Sequence, residues 1–190
     1  MNLLSMIIGA ILINNIVLAK FLGVCPFLGV SKNSKSAIGM GLAVIFVIFA
    51  SSMLTYALYY LVLVPLGIEY MQLISFILVI AAFVQFVEMF LKKYSPGLYK
   101  SLGVYLPLIT TNCTVLYVTQ NNISEGYNLI QTIVNSIAVP AGFMLVLFIF
   151  SCIRERLDSA DTNQTWKGNP LALVIAGLMA LALSGLAGIA

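Results

Sequence analysis

Two short stretches place reactive side chains where a membrane-type helix would normally carry none. In LGVCPFLGV (22–30), Cys25 precedes a proline; in LPLITTNCTVL (106–116), Cys113 follows Thr110, Thr111 and Asn112. INNIVLAK, just upstream of the first, adds Asn14, Asn15 and Lys20. Thiolates are nucleophiles and metal ligands, so Cys25 and Cys113 are candidate ligands. Asn14, Asn15, Lys20, Thr111 and Asn112 are candidate polar lining for the same interrupted segments. Three uses compete for the two cysteines. A disulfide requires an oxidising compartment, which the charge pattern described below argues against for Cys25. Zinc takes four ligands, and in a chain without histidine two cysteines are half a site. An iron–sulfur cluster also takes four thiolates, so one chain again supplies half and a pseudo-symmetric partner would complete the set. Cys152, in FSCIRE with no polar break around it, reads as a small buried hydrophobe.

One carboxylate also falls inside an apolar run. FVQFVEMFLKK sets Gln85 and Glu88 on one face of a helix, about a turn before its charged end. An acid within the membrane is a functional candidate by default; an interfacial Glu88 paired with Lys92 at i+4 is the structural alternative. The lack of histidine removes imidazole proton relays. Phosphate-binding loops, dinucleotide fingerprints and a Ser/His/Asp arrangement are all missing. The glycine-rich runs IGMGLA (38–43) and GLMALALSGLAGIA (177–190) read as close-packing helix faces. No nucleic-acid partner is expected.

The elements that must position these residues follow from composition. The 190 residues are 62% hydrophobic and 8% charged, against roughly a quarter charged in soluble domains. Lipid is therefore the solvent, and the chain is an integral membrane protein without an evident cleavable leader. Apolar runs that could cross a core of about 30 Å lie near 2–22, 36–62, 68–91, 101–119, 130–152 and 170–189. The expected fold is all-α, a single transmembrane domain over 1–190 with six helices. Breaks in spans one and four open two sets of three spans, which predicts a 3+3 inverted repeat with halves near 1–92 and 93–190. Direct self-similarity is slight, limited to LGVCPFL (22–28) against LGVYLPL (102–108). All nine Lys and Arg residues fall in or beside connections one, three and five, so those face the cytoplasm and both termini lie outside.

NNIVLAKFLGVCPFLGVSK (14–32), SFILVIAAFVQFVEM (75–89) and LGVYLPLITTNC (102–113) together resemble a known family across the whole chain. They resemble the A-type membrane subunits of the Rnf complex, the ion-translocating ferredoxin:NAD⁺ oxidoreductase. They are also similar to the E-type subunits of the sodium-pumping NADH:quinone oxidoreductase. The CPFLG form looks more like the Rnf group. The resemblance implies pairing with a homologous six-helix, Rnf E-like subunit of opposite topology, together with the other subunits of the complex. It further implies a shared intramembrane [2Fe–2S] cluster, with Cys25 and Cys113 as this chain's two ligands. It implies electron transfer across a bacterial cytoplasmic (inner) membrane between ferredoxin and NAD⁺, coupled to Na⁺ or H⁺ export. The chain would thus be an enzyme subunit with no complete active site of its own, and without a flavinylation motif it is assigned no flavin. The rival readings are a small secondary transporter, whose broken helices would bind substrate at the midplane, and a purely structural scaffold.

Overall fold

The computed structural model describes residues 7, 9–13, 15–31, 34–94, 112–158 and 169–187. Every regular element among them is helical. A π-helical turn, Gly9–Ile13, opens the described chain. Helices α1 (Ile16–Lys20), α2 (Val24–Val30) and α3 (Ser34–Leu58) follow, then α4 (Gln72–Tyr94), α5 (Cys113–Ser124), α6 (Leu129–Asp158) and α7 (Asn169–Ala187). Three stretches are long and apolar enough to cross a membrane: Ala37–Leu66, Gln72–Met89 and Leu129–Leu157. They coincide with expected spans two, three and five. Span six carries a shorter apolar helix, Pro170–Leu183. The expected entry into span four, 101–111, lies outside the described residues.

The chain's solvent preference is visible on its helix faces. Along α4, Phe76, Ile80 and Val84 are buried at i, i+4 and i+8, while Leu73, Ile74, Ile77, Leu78, Phe86 and Met89 are exposed. A water-soluble helix would be polar on that second face; here it is apolar, as in a helix made for a membrane. Proline explains the end of α3. Pro65 has no N–H and its ring crowds the carbonyl four residues back, so the preceding turn, Tyr59–Leu63, widens to π geometry, with Val64 N–H bonding to Tyr59 O. Gly67, at φ 66°, then closes the helix in the left-handed conformation that glycine adopts freely.

Several polar connections are shorter than the sequence suggests. Helix α5 extends through Gln120, Asn121 and Asn122 to Ser124, leaving only Glu125–Asn128 as connection. Within it Asn122 is buried. Asn135 Nδ2 donates to Asn122 Oδ1 at 2.6 Å, and Asn122 Nδ2 donates to Ser136 Oγ at 3.2 Å. A buried amide satisfied in this way can stay helical in an apolar setting. Helix α6 likewise runs through Arg154 to Asp158, so that arginine belongs to a helix rather than a loop.

Packing divides the chain into two compact units, Met1–Leu42 with Ala138–Ala190, and Ala43–Ile137. The division interleaves the two sequence halves. The first unit holds the Asn15–Cys25 segment, the start of α3, the end of α6, and α7, which packs on α1 and on the π turn. The second holds the end of α3, α4, α5 and the start of α6, with α4 packed on α5.

Candidate functional site

The first cysteine sits on a segment broken twice. Asn15 is the N-cap of α1, with φ −61° and ψ 121°, and its Oδ1 accepts from Val17 N–H at 3.2 Å. Its Nδ2 donates to Ile11 O at 3.2 Å and, across the unit, to Gly142 O in α6 at 2.9 Å. One buried amide thus serves both sides of the break, which an apolar environment demands because unmet backbone groups there cost several kcal/mol each. The close approach needs a glycine: a Cβ on Gly142 would lie 3.1 Å from both Asn15 Nδ2 and Ile11 Cα. Helix α1 ends after Lys20, which is exposed. Phe21 (φ 52°) and Gly23 (φ 76°) then turn the chain through two left-handed residues.

Helix α2 starts at Val24, so Cys25 and Pro26 occupy its first turn, where proline's missing N–H goes unmissed. Pro26, Phe27 and Val30 are buried and Cys25 is exposed. By sequence the Cys-Pro pair falls at the end of a span; the structure makes it the start of a new helix.

The second cysteine also opens a helix, but there the asparagine caps the cysteine's own helix. Asn112 caps α5 with φ −73° and ψ 115°, and its Oδ1 accepts from Thr114 N–H at 3.0 Å. Cys113 is the first helical residue and is exposed, whereas Asn112, Thr114 and Val115 are buried. The two asparagines differ in one respect. Asn15 Nδ2 has two acceptors, whereas Asn112 Nδ2 and Thr114 Oγ1 are buried with no partner among the described residues.

The other candidates separate from these. Asn14 and Thr111 lie outside the described residues. Asn15, Lys20 and Cys25 share the first unit; Glu88, Asn112 and Cys113 share the second. Glu88 is half-buried near the end of α4, ahead of Lys92 and Lys93, and Gln85 is exposed. Cys152, expected to be buried, is exposed, because it lies off the α6 stripe of Phe143, Val146, Leu147 and Phe150 that forms the core. Among the described residues no group of three or more Cys, His, Asp or Glu side chains could hold a metal ion.

A model of the Rnf-Nqr subunits, a family of membrane proteins, matches residues 3–190. The chain belongs to the Rnf-Nqr family. The Rnf-Nqr match runs through both cysteine-bearing breaks. Among its relatives, the A-type subunit of the Na⁺-translocating ferredoxin:NAD⁺ oxidoreductase complex of Acetobacterium woodii is 53% identical over 188 residues, covering 99% of this chain and 98% of the relative. The A-type subunit of the ion-translocating oxidoreductase complex of Syntrophotalea carbinolica is 52% identical, covering 99% and 97%. Its counterpart in Vibrio cholerae is also 52% identical, covering 98% and 96%.

One residue of this Rnf-Nqr chain escapes a reading of the sequence. Arg154 counts there only as a loop charge, yet it is buried on α6. Its Nη1 donates to Leu28 O at 2.9 Å and Ser31 Oγ at 2.8 Å, at the C-terminal end of the Cys25 helix. The available signal is the unbroken apolar run VLFIFSCIR (146–154), in which α6 continues as far as the arginine.

Proposed function

We propose that this chain is the A-type subunit of a redox-driven ion pump in which Cys25 and Cys113 provide two of the four thiolates of a [2Fe–2S] cluster. The other two come from a homologous six-helix subunit of opposite topology. The coarse part of this reading, a membrane subunit of an ion-translocating oxidoreductase, rests on family membership and on relatives that carry that name. The finer part rests on one observation: each cysteine is exposed in the first turn of a helix, directly after a break. Two outward-facing thiols are an incomplete donor set, and they fit a shared cluster better than a site closed within one chain.

When bound, the cluster supplies one-electron transfer between ferredoxin and NAD⁺ chemistry on other subunits, coupled to export of Na⁺ or H⁺. The work of this chain's own residues is mechanical and electrostatic. Cys25 and Cys113 hold sulfur at fixed positions. Asn15 and Asn112 keep the breaks that expose those sulfurs from unravelling. Lys20, near the first break, supplies positive charge on that segment.

The 3+3 inverted repeat is part of the same proposal. It is supported by the matched asparagine caps and by the two units, each of which combines one broken segment with one end of α3, one end of α6 and one further helix. The membrane is the bacterial cytoplasmic one, with connections one, three and five inside and both termini outside, on the strength of the nine basic residues.

The deciding experiment is iron and acid-labile sulfide content of the chain co-purified with its membrane partners. Cys25→Ser and Cys113→Ser are each expected to abolish the cluster signal and ferredoxin-driven NAD⁺ reduction, while Cys152→Ser leaves both intact. An assembled Cys25→Ser complex that keeps its iron and activity would overturn the reading in favour of a colourless transporter.

A further inference from the structure

Helix α2 is seven residues long, far too short to hold its own geometry. Something else must fix the direction of Cys25. At its N-terminal end two left-handed residues, Phe21 and Gly23, join it to α1, and Gly23 offers no side-chain cap. At its other end, two side chains of α6 grip it. Phe27 stacks on Phe150, with ring centroids 4.2 Å apart and planes 28° from parallel, and both rings are fully buried. One turn further along α6, on the same face, Arg154 donates to Leu28 O and Ser31 Oγ. Ser31 Oγ in turn donates to Leu28 O at 3.4 Å.

These contacts do different things. Leu28 O is one of the last four carbonyls of α2, which lack partners within the helix. A buried guanidinium satisfies it and places positive charge at the negative end of the helix. A ring stack alone would let the short helix slide or roll; a forked, charge-assisted bond at a second point removes that freedom. The resulting rotation matters for the cysteine. At 3.6 residues per turn, positions 25 and 27 are about 200° apart. With Phe27 held against α6, Cys25 is turned to the opposite side, and it is indeed exposed while Phe27 and Val30 are buried.

We propose that Arg154 is a positioning residue for the Cys25 thiol, fixing the rotation and register of α2 so that the sulfur points out of the unit toward the metal. This rests on the reading of Cys25 as a cluster ligand. Residues that orient a ligand without touching the metal govern how firmly the metal is held, with typical losses of about 10- to 100-fold on mutation.

The test uses the assembled complex. Iron release to a chelator and the electron paramagnetic resonance spectrum of the reduced cluster are compared among wild type, Arg154→Met, Arg154→Lys and Ile48→Ala. The last truncates a fully buried side chain on α3, which carries neither cysteine, and serves as a stability control. Arg154→Met should release iron about 10- to 100-fold faster with altered g-values. Arg154→Lys should fall between, since an ammonium keeps the charge but carries it on a more flexible stem. Ile48→Ala should keep the wild-type spectrum even where its thermal stability matches that of Arg154→Met. Wild-type release and spectrum in Arg154→Met would overturn the proposal, as would the same spectral change in Ile48→Ala. If Arg154→Met fails to assemble, Ser31→Ala decides: faster release with altered g-values supports the proposal, and wild-type behaviour overturns it. Failure of the underlying reading looks different, because Cys25→Ser would then retain its iron.

Discussion

Asn15 and Asn112 look interchangeable by sequence and by cap geometry, yet their removal should have very different consequences. Asn15→Ala deletes a cap, worth about 1 kcal/mol, and also strips donors from Ile11 O and Gly142 O. A buried acceptor left short of a partner costs about 1–3 kcal/mol, although Gly142 O lies within α6 and the low end applies to it. The total is about 3–5 kcal/mol. Asn112→Ala deletes the same kind of cap, but it also removes a buried Nδ2 that has no partner among the described residues. That relief offsets most of the cap, and the net effect should lie within about 1 kcal/mol of zero. The assay is the rate at which the purified complex loses this subunit in detergent at one fixed temperature. Where loss follows the population of the opened state, a gap of about 2 kcal/mol separates the two variants by roughly 30-fold. Rates within about twofold of each other would refute the reasoning, since they would mean that the Asn112 amide finds acceptors in the assembly that the single chain does not offer.

Four further outcomes are expected. Gly142→Ala, whose new methyl would press on Asn15 Nδ2 and the Ile11 backbone, should accelerate loss of the subunit by a similar factor to Asn15→Ala, and combining the two should be less than additive. Phe21→Gly removes a non-glycine residue from the left-handed region and should stabilise by up to about 1 kcal/mol in the same assay; a clear loss would mean that the exposed ring has a partner. A reporter inserted in the 159–168 segment should be cytoplasmic, and an external signal would reverse the topology. Expressed without its homologous subunit, the chain should be degraded rapidly in a pulse-chase experiment, because the faces around the exposed Cys25 and Cys113 would then lack the partner proposed to cover them; a long-lived lone subunit would count against an obligate pair.

Much of this architecture is legible in the sequence because lipid imposes simple rules. The apolar runs mark α3, α4 and α6 within a few residues. The polar breaks announce themselves through Asn15 and Asn112, the residue type that caps helices. The apparent repeat between LGVCPFL and LGVYLPL is a weaker guide: 102–108 lies outside the described residues, and the match that the structure does offer, cap for cap, pairs Asn15 with Asn112 in another register. What the sequence hides are polar residues that remain helical. Asn122 looks like a loop residue because its partners, Asn135 and Ser136, lie on the next helix. Arg154 looks like a topology marker because nothing local reveals that it reaches Leu28 and Ser31, more than a hundred positions back. Long-range satisfaction of a buried group leaves no trace in its neighbours.

The Asn122 network has a bearing on how the chain enters the membrane. Helix α5, CTVLYVTQNNIS, is only 12 residues long. These described residues carry too many amides and hydroxyls to partition into lipid unaided. Four residues later comes α6, long and strongly apolar. The bonds from Asn122 to Asn135 and Ser136 close that hairpin on itself, so its least soluble amide is already neutralised by the first turns of the following helix. A hairpin closed in this way offers lipid no unmet Asn122 amide, so α5 and α6 are suited to enter the membrane as a pair.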